Sequence, residues 1–443
     1  MRRRLTRGRR LLFAALTTTM AFALTEALLA GISAATGQDW RVDPLPAHEQ
    51  YEVLCPYGDL LRLCPDQGPA YERVRPLVFS AAKDRPRVVA IGESFVFGLG
   101  LPAEQAWPAR LQEELGAGVE VLNLGRSGTY ASRLVPLVQA AITLDADVVV
   151  LATGNNEHTM TSFYSGWAGR HPLLVYRTGE RLGRLRLYGL LAGRIGIPPR
   201  VEERFDQVPA TFGEALDRQV YAARRRPPDL SAFHRPDLPE GWALAGPRVT
   251  EILEQEQRLK ERIFRGHLEG MVRILDEAGV QVVLATLPLD LSARPVLSGV
   301  HGADEAEVVA RLGRLAEEET PDREALAAAL ALDPRVAAFS YLDGMDRRAR
   351  GDLAGAAAAL WAAVEWDLVP DATPGINRIT TEVAQAHGAT LVPLDQLCER
   401  WLAQPSAWML DRVHLSEGGA RAVAAEVAPV VRAALDEQAA SSL

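Results

Sequence analysis

The hydrophobic pattern changes at residue 87, where short apolar runs begin to alternate with amphipathic segments. One run, 148–151, is an unbroken Val-Val-Val-Leu sequence, typical of a parallel strand that is covered on both faces. The predicted strands are Arg87–Ile91, Val119–Leu124, Asp147–Thr153, Val280–Leu287 and Thr390–Leu394. The predicted helices are Glu104–Leu115, Tyr130–Leu144, Thr250–Ala278 and Glu417–Leu435. This alternation predicts an α/β fold with a mainly parallel sheet.

Two long segments interrupt the alternation and are predicted to be insertions. Residues 158–265 begin with a stretch rich in aromatic residues, Arg and Pro, which is too long for a plain connection and is typical of a lid. Its basic triplet at 224–226 is expected to be a solvated surface, with an anionic-ligand site as the alternative. Residues 301–385 are Ala-rich and predicted to be helical. The α/β domain itself is therefore predicted to comprise 86–300 and 386–443.

Part of the helical insertion, residues 337–370, resembles a single tetratricopeptide unit. Its small residues would let two antiparallel helices pack closely, and Gly351-Asp352 would form the turn. Stable arrays need about three or more such units, so one unit is expected to pack on the main domain or to bind a protein partner. An ordinary helical hairpin with no binding role explains the pattern equally well.

The N-terminus combines six arginines in the first ten residues with an apolar stretch from Leu11 to about Ala35. The stretch is long enough to span a membrane, and the excess of Arg before it predicts that this end stays in the cytoplasm. A signal peptide cleaved between Ala30 and Ala35, which would leave a secreted protein, is the alternative; Glu26 disfavours a permanent span. We predict an anchor at 1–36, a loop-rich stalk at 37–85 and an extracytoplasmic body.

Charge and cysteine content narrow the choice of partners. The net charge is −9, so once the six N-terminal arginines are set aside the remaining residues carry −15, which argues against a nucleic-acid partner.

Cys55 and Cys64 could close a disulfide loop in an oxidising compartment, whereas Cys398 is predicted to be buried on a helix. No Cys/His set has the spacing of a zinc site, and neither a metal nor a cofactor is predicted.

Candidate chemistry begins at Ser94, which follows the first predicted strand at the sheet edge where such folds place their ligands. A hydroxyl residue there is more often a helix N-cap, and the residues after Ser94 exclude a Gly-x-Ser-x-Gly nucleophile elbow. Three further loops emerge at the same edge, and they contain Gly128, Asn156 and the pair Asp411/His414. This convergence favours a nucleophilic serine over an N-cap.

Asp411 and His414 are three residues apart, a spacing that puts both side chains on one face of a helical turn. The carboxylate could therefore hold one imidazole nitrogen and leave the other for Ser94, as in a Ser-His-Asp triad. Taken alone, Asp-x-x-His is more typical of a surface histidine before a helix.

The four blocks resemble the SGNH (GDSL-type) hydrolase family in order and approximate spacing. The family's Gly-Asp-Ser block appears here as Gly92-Glu93-Ser94, and its second block as Asn123 with Gly128. Its Gly-x-Asn-Asp block appears as Gly154-Asn155-Asn156-Glu157, and Asp-x-x-His as Asp411-Arg412-Val413-His414. The match covers residues 87–160, 270–300 and 388–435. Glu93 and Glu157 replace Asp but keep a carboxylate, so we expect retuned loop hydrogen bonding rather than an inactive site.

The resemblance implies a flavodoxin-like, three-layer α/β/α core with strand order 2-1-3-4-5. It also implies a role for each matched residue. Ser94 would be the nucleophile, His414 the general base and acid, and Asp411 the group that orients His414. The oxyanion hole would consist of the backbone N–H groups of Ser94 and Gly128 and the side-chain amide of Asn156.

Together these inferences predict an exported serine esterase that cleaves carboxylic esters through an acyl-enzyme. The substrate is expected to be a small-molecule ester or an acyl group on a cell-envelope glycan, the latter following only from the inferred compartment. Two alternatives belong to other classes. One is an O-acyltransferase acting on extracellular polysaccharide, and the other is a non-catalytic envelope scaffold that binds a partner through its helical hairpin.

Overall fold

The computed structural model describes residues 7–42, 45, 51–64, 78–80, 82–157, 162–163, 169–194, 200–201, 215–224, 228–318 and 321–441. The chain divides into two compact units. The first contains Met1–Pro46 and Ser162–Glu203, and the second contains Ala47–Thr161 and Arg204–Leu443.

Most strands lie in the second unit. The described strands are β1 (Leu54–Tyr57), β2 (Leu60–Leu63), β3 (Val78–Phe79), β4 (Arg87–Gly92), β5 (Glu120–Asn123), β6 (Val148–Ala152), β7 (Ser162–Phe163), β8 (Arg200–Val201), β9 (Leu244–Ala245), β10 (Gln281–Ala285), β11 (Ser298–Gly299) and β12 (Thr390–Val392). Five of them form the central sheet in the order β12-β10-β6-β4-β5, and every neighbouring pair is parallel. In chain order this is the predicted arrangement 2-1-3-4-5, which is confirmed.

The helices connect and cover these strands. They are α1 (Arg7–Thr36), α2 (Ser94–Phe97), α3 (Trp107–Leu115), α4 (Ala131–Thr143), α5 (Pro172–Leu182), α6 (Arg186–Arg194), α7 (Ala215–Arg224), α8 (Pro247–Glu277), α9 (Glu305–Glu317), α10 (Arg323–Leu332), α11 (Ala337–Ala349), α12 (Leu353–Glu365), α13 (Pro374–His387), α14 (Gln396–Trp401) and α15 (Glu417–Ser441). The last helix extends beyond its predicted end at Leu435 because residues 436–441 continue the helical pattern without a Gly or Pro.

The central sheet is buried on both faces, since alternate residues of each strand point to opposite sides. Val88 and Val150 face one core, which α3 and α15 cover. Val89 and Val149 face the other, which α4, α8 and α13 cover. The predicted three-layer α/β/α fold is therefore confirmed, and the carboxyl ends of all five strands meet at one edge.

The segment predicted as a loop-rich stalk is more ordered than expected. Within it, β1, β2 and β3 form an antiparallel sheet, and Cys55 is disulfide-bonded to Cys64. Leu54, Leu61 and Leu63 pack against the core on the α4 side of the central sheet. The prediction missed this sheet because its strands are short and the intervening prolines dominate the local pattern.

The segment predicted to be a helical insertion, 301–385, contains α9 to α12 and most of α13, and α13 packs against the core of the central sheet. In the segment predicted to be tetratricopeptide-like, α11 and α12 pack against each other with the turn at Gly351, where φ is +82°. Its likeness to a tetratricopeptide unit stays a prediction.

The expectation that the basic triplet 224–226 is a solvated surface is wrong for Arg224. This residue is buried and pairs with Glu256. Arg225 and Arg226 lie outside the described residues.

In the first unit, α1 contains an apolar segment, Leu11–Thr36, that is long enough to cross a membrane or to act as a signal sequence. Its large apolar side chains are exposed along most of its length. Two shorter helices, α5 and α6, accompany it, and β7 pairs with β8 in an antiparallel ladder.

Candidate active site

Ser94 begins the single-turn helix α2, one residue after strand β4 of the central sheet. Its side chain is almost completely buried, with the residue only 5% exposed. The backbone N–H groups of Gly98 and Leu99 donate to the Ser94 carbonyl, and Gly98 ends the turn at φ +81°. The turn thus fixes the serine at the carboxyl edge of the sheet.

His414 and Asp411 approach Ser94 from the loop before α15. His414 Nε2 lies 2.9 Å from Ser94 Oγ, and His414 Nδ1 lies 2.7 Å from Asp411 Oδ2. Ser94 and His414 are 320 positions apart in the sequence, and the structure brings them and Asp411 into one hydrogen-bonded line. The same connectivity allows an imidazole to take a proton from a serine hydroxyl while a carboxylate fixes its orientation.

Asp411 is held in its ionised form. Partial burial opposes ionisation, but hydrogen bonds from His414 and from the backbone N–H groups of Val413 and His414 outweigh it and lower the pKa of Asp411 to about 2. A carboxylate that stays charged across the working pH range can keep the imidazole in one tautomer.

Glu93, one of the two departures from the family pattern, joins the first block to the third. Its buried carboxylate accepts hydrogen bonds from Thr153 Oγ1 at 2.7 Å, from the N–H of Gly154 at 2.9 Å and from the N–H of Asn156 at 3.0 Å. Complete burial nevertheless raises the pKa of Glu93. The loop that carries Asn156 is therefore fixed by the residue next to the serine.

Glu157, the second departure, joins the third block to the helix that follows the second block. Its Oε1 accepts from the N–H of Ala131, the first residue of α4, at 2.8 Å. Burial, followed by the nearby charge of Glu93, raises the pKa of Glu157. The two glutamates that replace Asp are thus buried carboxyl groups that accept hydrogen bonds from the backbone near the serine.

The predicted oxyanion donors follow the two strands that flank β4. Gly128 lies in the loop after β5, with φ +71°, and Asn156 lies in the loop after β6. Asn123 supports the first of these loops, because its side chain accepts from the N–H of Gly125 and donates to the carbonyl of Val96. The oxyanion role of Ser94, Gly128 and Asn156 stays a prediction.

Arg412 is a site residue that the motif did not reveal. It lies between Asp411 and His414, and its Nε and Nη2 lie 2.7 Å from Asp371 and 2.9 Å from Asp367, respectively. Its carbonyl accepts from the N–H of Asp290 in the loop after β10. Arg412 therefore ties the loop carrying the candidate base to the segment that closes the helical insertion. Sequence spacing gave no signal for this, because the two aspartates belong to a segment outside the four blocks.

No protein-family model matches the sequence, and no curated protein does. Solved structures that resemble it include a lipolytic protein of the G-D-S-L family from Veillonella parvula DSM 2008, with 9% identity and a TM-score of 0.34, covering 78% of this chain and 97% of that one. A lipase/acylhydrolase from Enterococcus faecalis has 11% identity and a TM-score of 0.34, with coverages of 79% and 96%.

An acetylxylan esterase from Geobacillus stearothermophilus has 13% identity and a TM-score of 0.32, covering 77% of this chain and 92% of that one. The similar structures thus include G-D-S-L proteins, the group that the four blocks resemble. At such identities and TM-scores, these likenesses support no assignment of activity or substrate by themselves.

Proposed function

We propose that this chain is a serine esterase of the SGNH type that hydrolyses carboxylic esters through an acyl-enzyme. The observation that carries the proposal is the hydrogen-bonded line from Ser94 Oγ through both nitrogens of His414 to Asp411. Of the alternatives, a non-catalytic scaffold has no need for this arrangement of three polar groups.

In the acylation step, Ser94 Oγ attacks the ester carbonyl carbon while His414 Nε2 takes the hydroxyl proton. The carbonyl oxygen becomes an oxyanion, which the predicted donors on the loops after β5 and β6 stabilise. When the carbon–oxygen bond to the alcohol breaks, His414 returns the proton to the leaving oxygen. The products of this step are the free alcohol and Ser94 carrying the acyl group.

Deacylation repeats the sequence with water in place of the serine hydroxyl. His414 takes a proton from the water as its oxygen attacks the acyl carbon, and the carboxylic acid leaves as the proton passes to Ser94 Oγ. Asp411 remains ionised throughout and stabilises the imidazolium that forms in each half-reaction.

Hydrolysis of p-nitrophenyl acetate by wild type and by Ser94→Ala tests the proposal. We expect Ser94→Ala to lower kcat by a factor on the order of 10⁴–10⁶. Ser231→Ala, which removes an exposed hydroxyl on a surface turn, serves as the matched control and should retain wild-type activity. Equal, slow hydrolysis by wild type and Ser94→Ala over a panel of short-chain esters would exclude the esterase.

We further propose that α1 anchors the chain in a membrane and that its body is extracytoplasmic, where acyl groups on envelope glycans are the substrate. The arginine-rich N-terminal flank and the Cys55–Cys64 disulfide support this compartment. Release of free acid from an acylated envelope glycan would support deacylation. Appearance of the acyl group on an added polysaccharide would instead identify an O-acyltransferase.

A further inference from the structure

Residues 169–194 differ in charge from the rest of the acidic body. This stretch contains six arginines and one acidic residue, Glu180. It includes α5 and α6, which together are called the basic helix pair below. A local excess of positive charge on a chain with a net charge of −9 marks a surface that attracts anions.

The exposed side chains of the basic helix pair mix leucine with arginine. Leu174 is 54% exposed and Leu191 is 55% exposed. On α5, the exposed residues Arg177 and Arg181 follow Leu174 at helical spacing and share its face. Leucines surrounded by long basic side chains are typical of helices that lie in a membrane interface, where the arginine heads reach lipid phosphates and the leucines enter the acyl boundary.

The basic helix pair is hydrogen-bonded to the apolar helix α1. Glu26 accepts from the N–H of Leu187 at 2.7 Å and from that of Arg186 at 3.1 Å, which satisfies the first turn of α6. Arg186 Nε also donates to Ser33 Oγ at 3.2 Å. Glu26, whose carboxylate disfavours a membrane span, is therefore the residue that attaches α6 to α1.

This attachment sets the depth of the basic helix pair relative to a bilayer. A span needs about 20 apolar residues, and 20 residues counted from Leu11 end at Ala30. Glu26 then lies about one helical turn inside that boundary, and Ser33 lies about one turn outside it. The first turn of α6 consequently falls at the level of the lipid headgroups on the side where the chain leaves the membrane.

We propose that the basic helix pair is a second membrane-contacting element that binds an anionic phospholipid surface. This proposal rests on the anchoring by α1 proposed above. Charge complementarity with phosphate headgroups and direct continuity with α1 argue for lipid as the occupant. Part of the segment predicted to be a lid thus has a different role, that of contacting the bilayer surface beside the anchor.

Site-directed spin labelling of the full chain in nanodiscs tests the proposal. Single substitutions Leu174→Cys and Leu191→Cys each introduce one reactive thiol, since Cys398 is buried and the other two cysteines form the disulfide. Met20→Cys, in the middle of α1, reports on the anchor, and the exposed Leu353→Cys in the second unit reports on water. Collision rates with oxygen and with a nickel chelate give the depth of each label.

In discs of phosphatidylcholine with phosphatidylglycerol, we expect labels at 174 and 191 to collide several-fold more often with oxygen than with the chelate. The label at 353 should show the opposite ratio. Removing phosphatidylglycerol, or combining Arg177→Gln, Arg181→Gln and Arg184→Gln, should shift the labels at 174 and 191 towards water, and so should high salt.

Contrary outcomes separate the two proposals. If the label at 20 is in the bilayer while those at 174 and 191 are in water, or are shielded from both reagents by protein, the lipid-binding role of the basic helix pair is wrong and the anchor stands. Equal immersion with and without phosphatidylglycerol would overturn the preference for anionic lipid. A label at 20 in water would overturn both. Hydrolysis of p-nitrophenyl acetate by the same discs reports on the esterase separately.

Discussion

Two buried glutamates hold the loops beside the candidate nucleophile. Glu93 and Glu157 are each at most 3% exposed, yet between them they accept hydrogen bonds from the loop after β6 and from the first residue of α4. A buried carboxyl group is tolerated when its oxygens are satisfied, as both oxygens of Glu93 are. In Glu157 only Oε1 accepts a hydrogen bond, and Oε2 has no partner among the residues that the structure describes. Because Glu93 directly precedes Ser94, any change in its contacts is transmitted to the loop that carries Asn156.

Replacing Glu93 by Gln should impair catalysis more than substrate binding. The amide oxygen can still accept from Thr153 and Gly154, but the amide NH₂ then faces the N–H of Asn156, and two donors cannot pair. We expect kcat for p-nitrophenyl acetate to fall about 10-fold or more, and the free energy of unfolding to fall by about 1–3 kcal/mol. The exposed Glu104→Gln is the matched control. An unchanged kcat in Glu93→Gln would show that the loop position does not depend on this carboxylate.

Glu157 should make stability depend on pH. Its pKa is raised in the folded state above the ordinary value of 4.5, so the folded chain binds this proton more tightly than the unfolded chain. Stability therefore falls as the pH rises above 4.5, because the unfolded chain releases a proton that the folded chain keeps until the pH passes its raised pKa. Glu157→Gln keeps an acceptor for Ala131 but cannot titrate.

Urea unfolding at several values between about pH 5 and pH 8 measures this effect. As the pH rises over that range, the free energy of unfolding of Glu157→Gln should increase by at least about 1 kcal/mol relative to that of wild type. A constant difference between the two proteins would mean that Glu157 has the same protonation in the folded and the unfolded chain over that range.

Among the structural elements, the loop from Met409 to Leu415 contains two of the three residues of the candidate triad, Asp411 and His414. It is a short antiparallel turn closed by the Met409–Leu415 bridge, and Asp411 is hydrogen-bonded to the backbone of its own loop. The side chain of Arg412 provides the link from the tip of this loop to the segment around Asp367, whose carboxylate is fully buried. Arg412 is thus a positioning residue for the candidate base.

Arg412→Gln should lower kcat about 10- to 100-fold with little change in KM, since a displacement of about 1 Å of a catalytic group costs this much. Arg412→Lys, which keeps the charge but loses the forked contact with two aspartates, should fall between Gln and wild type. Arg400→Gln breaks an exposed ion pair with Glu426 and serves as the control. Loss of thermal stability with unchanged kcat in Arg412→Gln would mean that Arg412 only stabilises the fold.

The same elements show what the sequence could reveal. Strands β4, β6 and β10 were predictable because parallel strands buried on both faces leave continuous apolar runs. Their alternation with helices implied a parallel sheet, whereas the order of its strands was implied by the resemblance to SGNH hydrolases. The meeting of Ser94 with His414 followed from the edge at which those strands end. The links made by Arg412 and Glu93 were not predictable, because their partners lie on other loops and contact pairs leave no periodic signal. The stalk sheet was missed for the reason that its strands are only two to four residues long.

At the scale of the whole molecule, the disulfide and the apolar helix α1 make one joint prediction about compartment. The chain has three cysteines, of which Cys55 and Cys64 are bonded and Cys398 is buried. Disulfides persist in oxidising compartments and are rare in the cytosol. Protein recovered from membranes, and denatured without reductant, should therefore label at Cys398 alone.

After reduction, the same sample should label at all three cysteines, as counted by mass spectrometry. Protein kept in the cytosol by deleting the apolar segment would be the comparison, and it should label at all three before reduction. Three reactive thiols in the unreduced membrane protein would contradict the extracytoplasmic location.

The central claim is that Ser94 is a nucleophile activated by His414, and labelling with a fluorophosphonate tests it most directly. The reagent forms a covalent adduct with an activated serine, and peptide mapping identifies the residue. We predict one adduct, on Ser94, in wild type and in Ser231→Ala, and none in His414→Ala, which keeps the serine but removes its base. A wild-type chain that takes up no label at Ser94, or a His414→Ala variant that labels at the wild-type rate, would contradict the account.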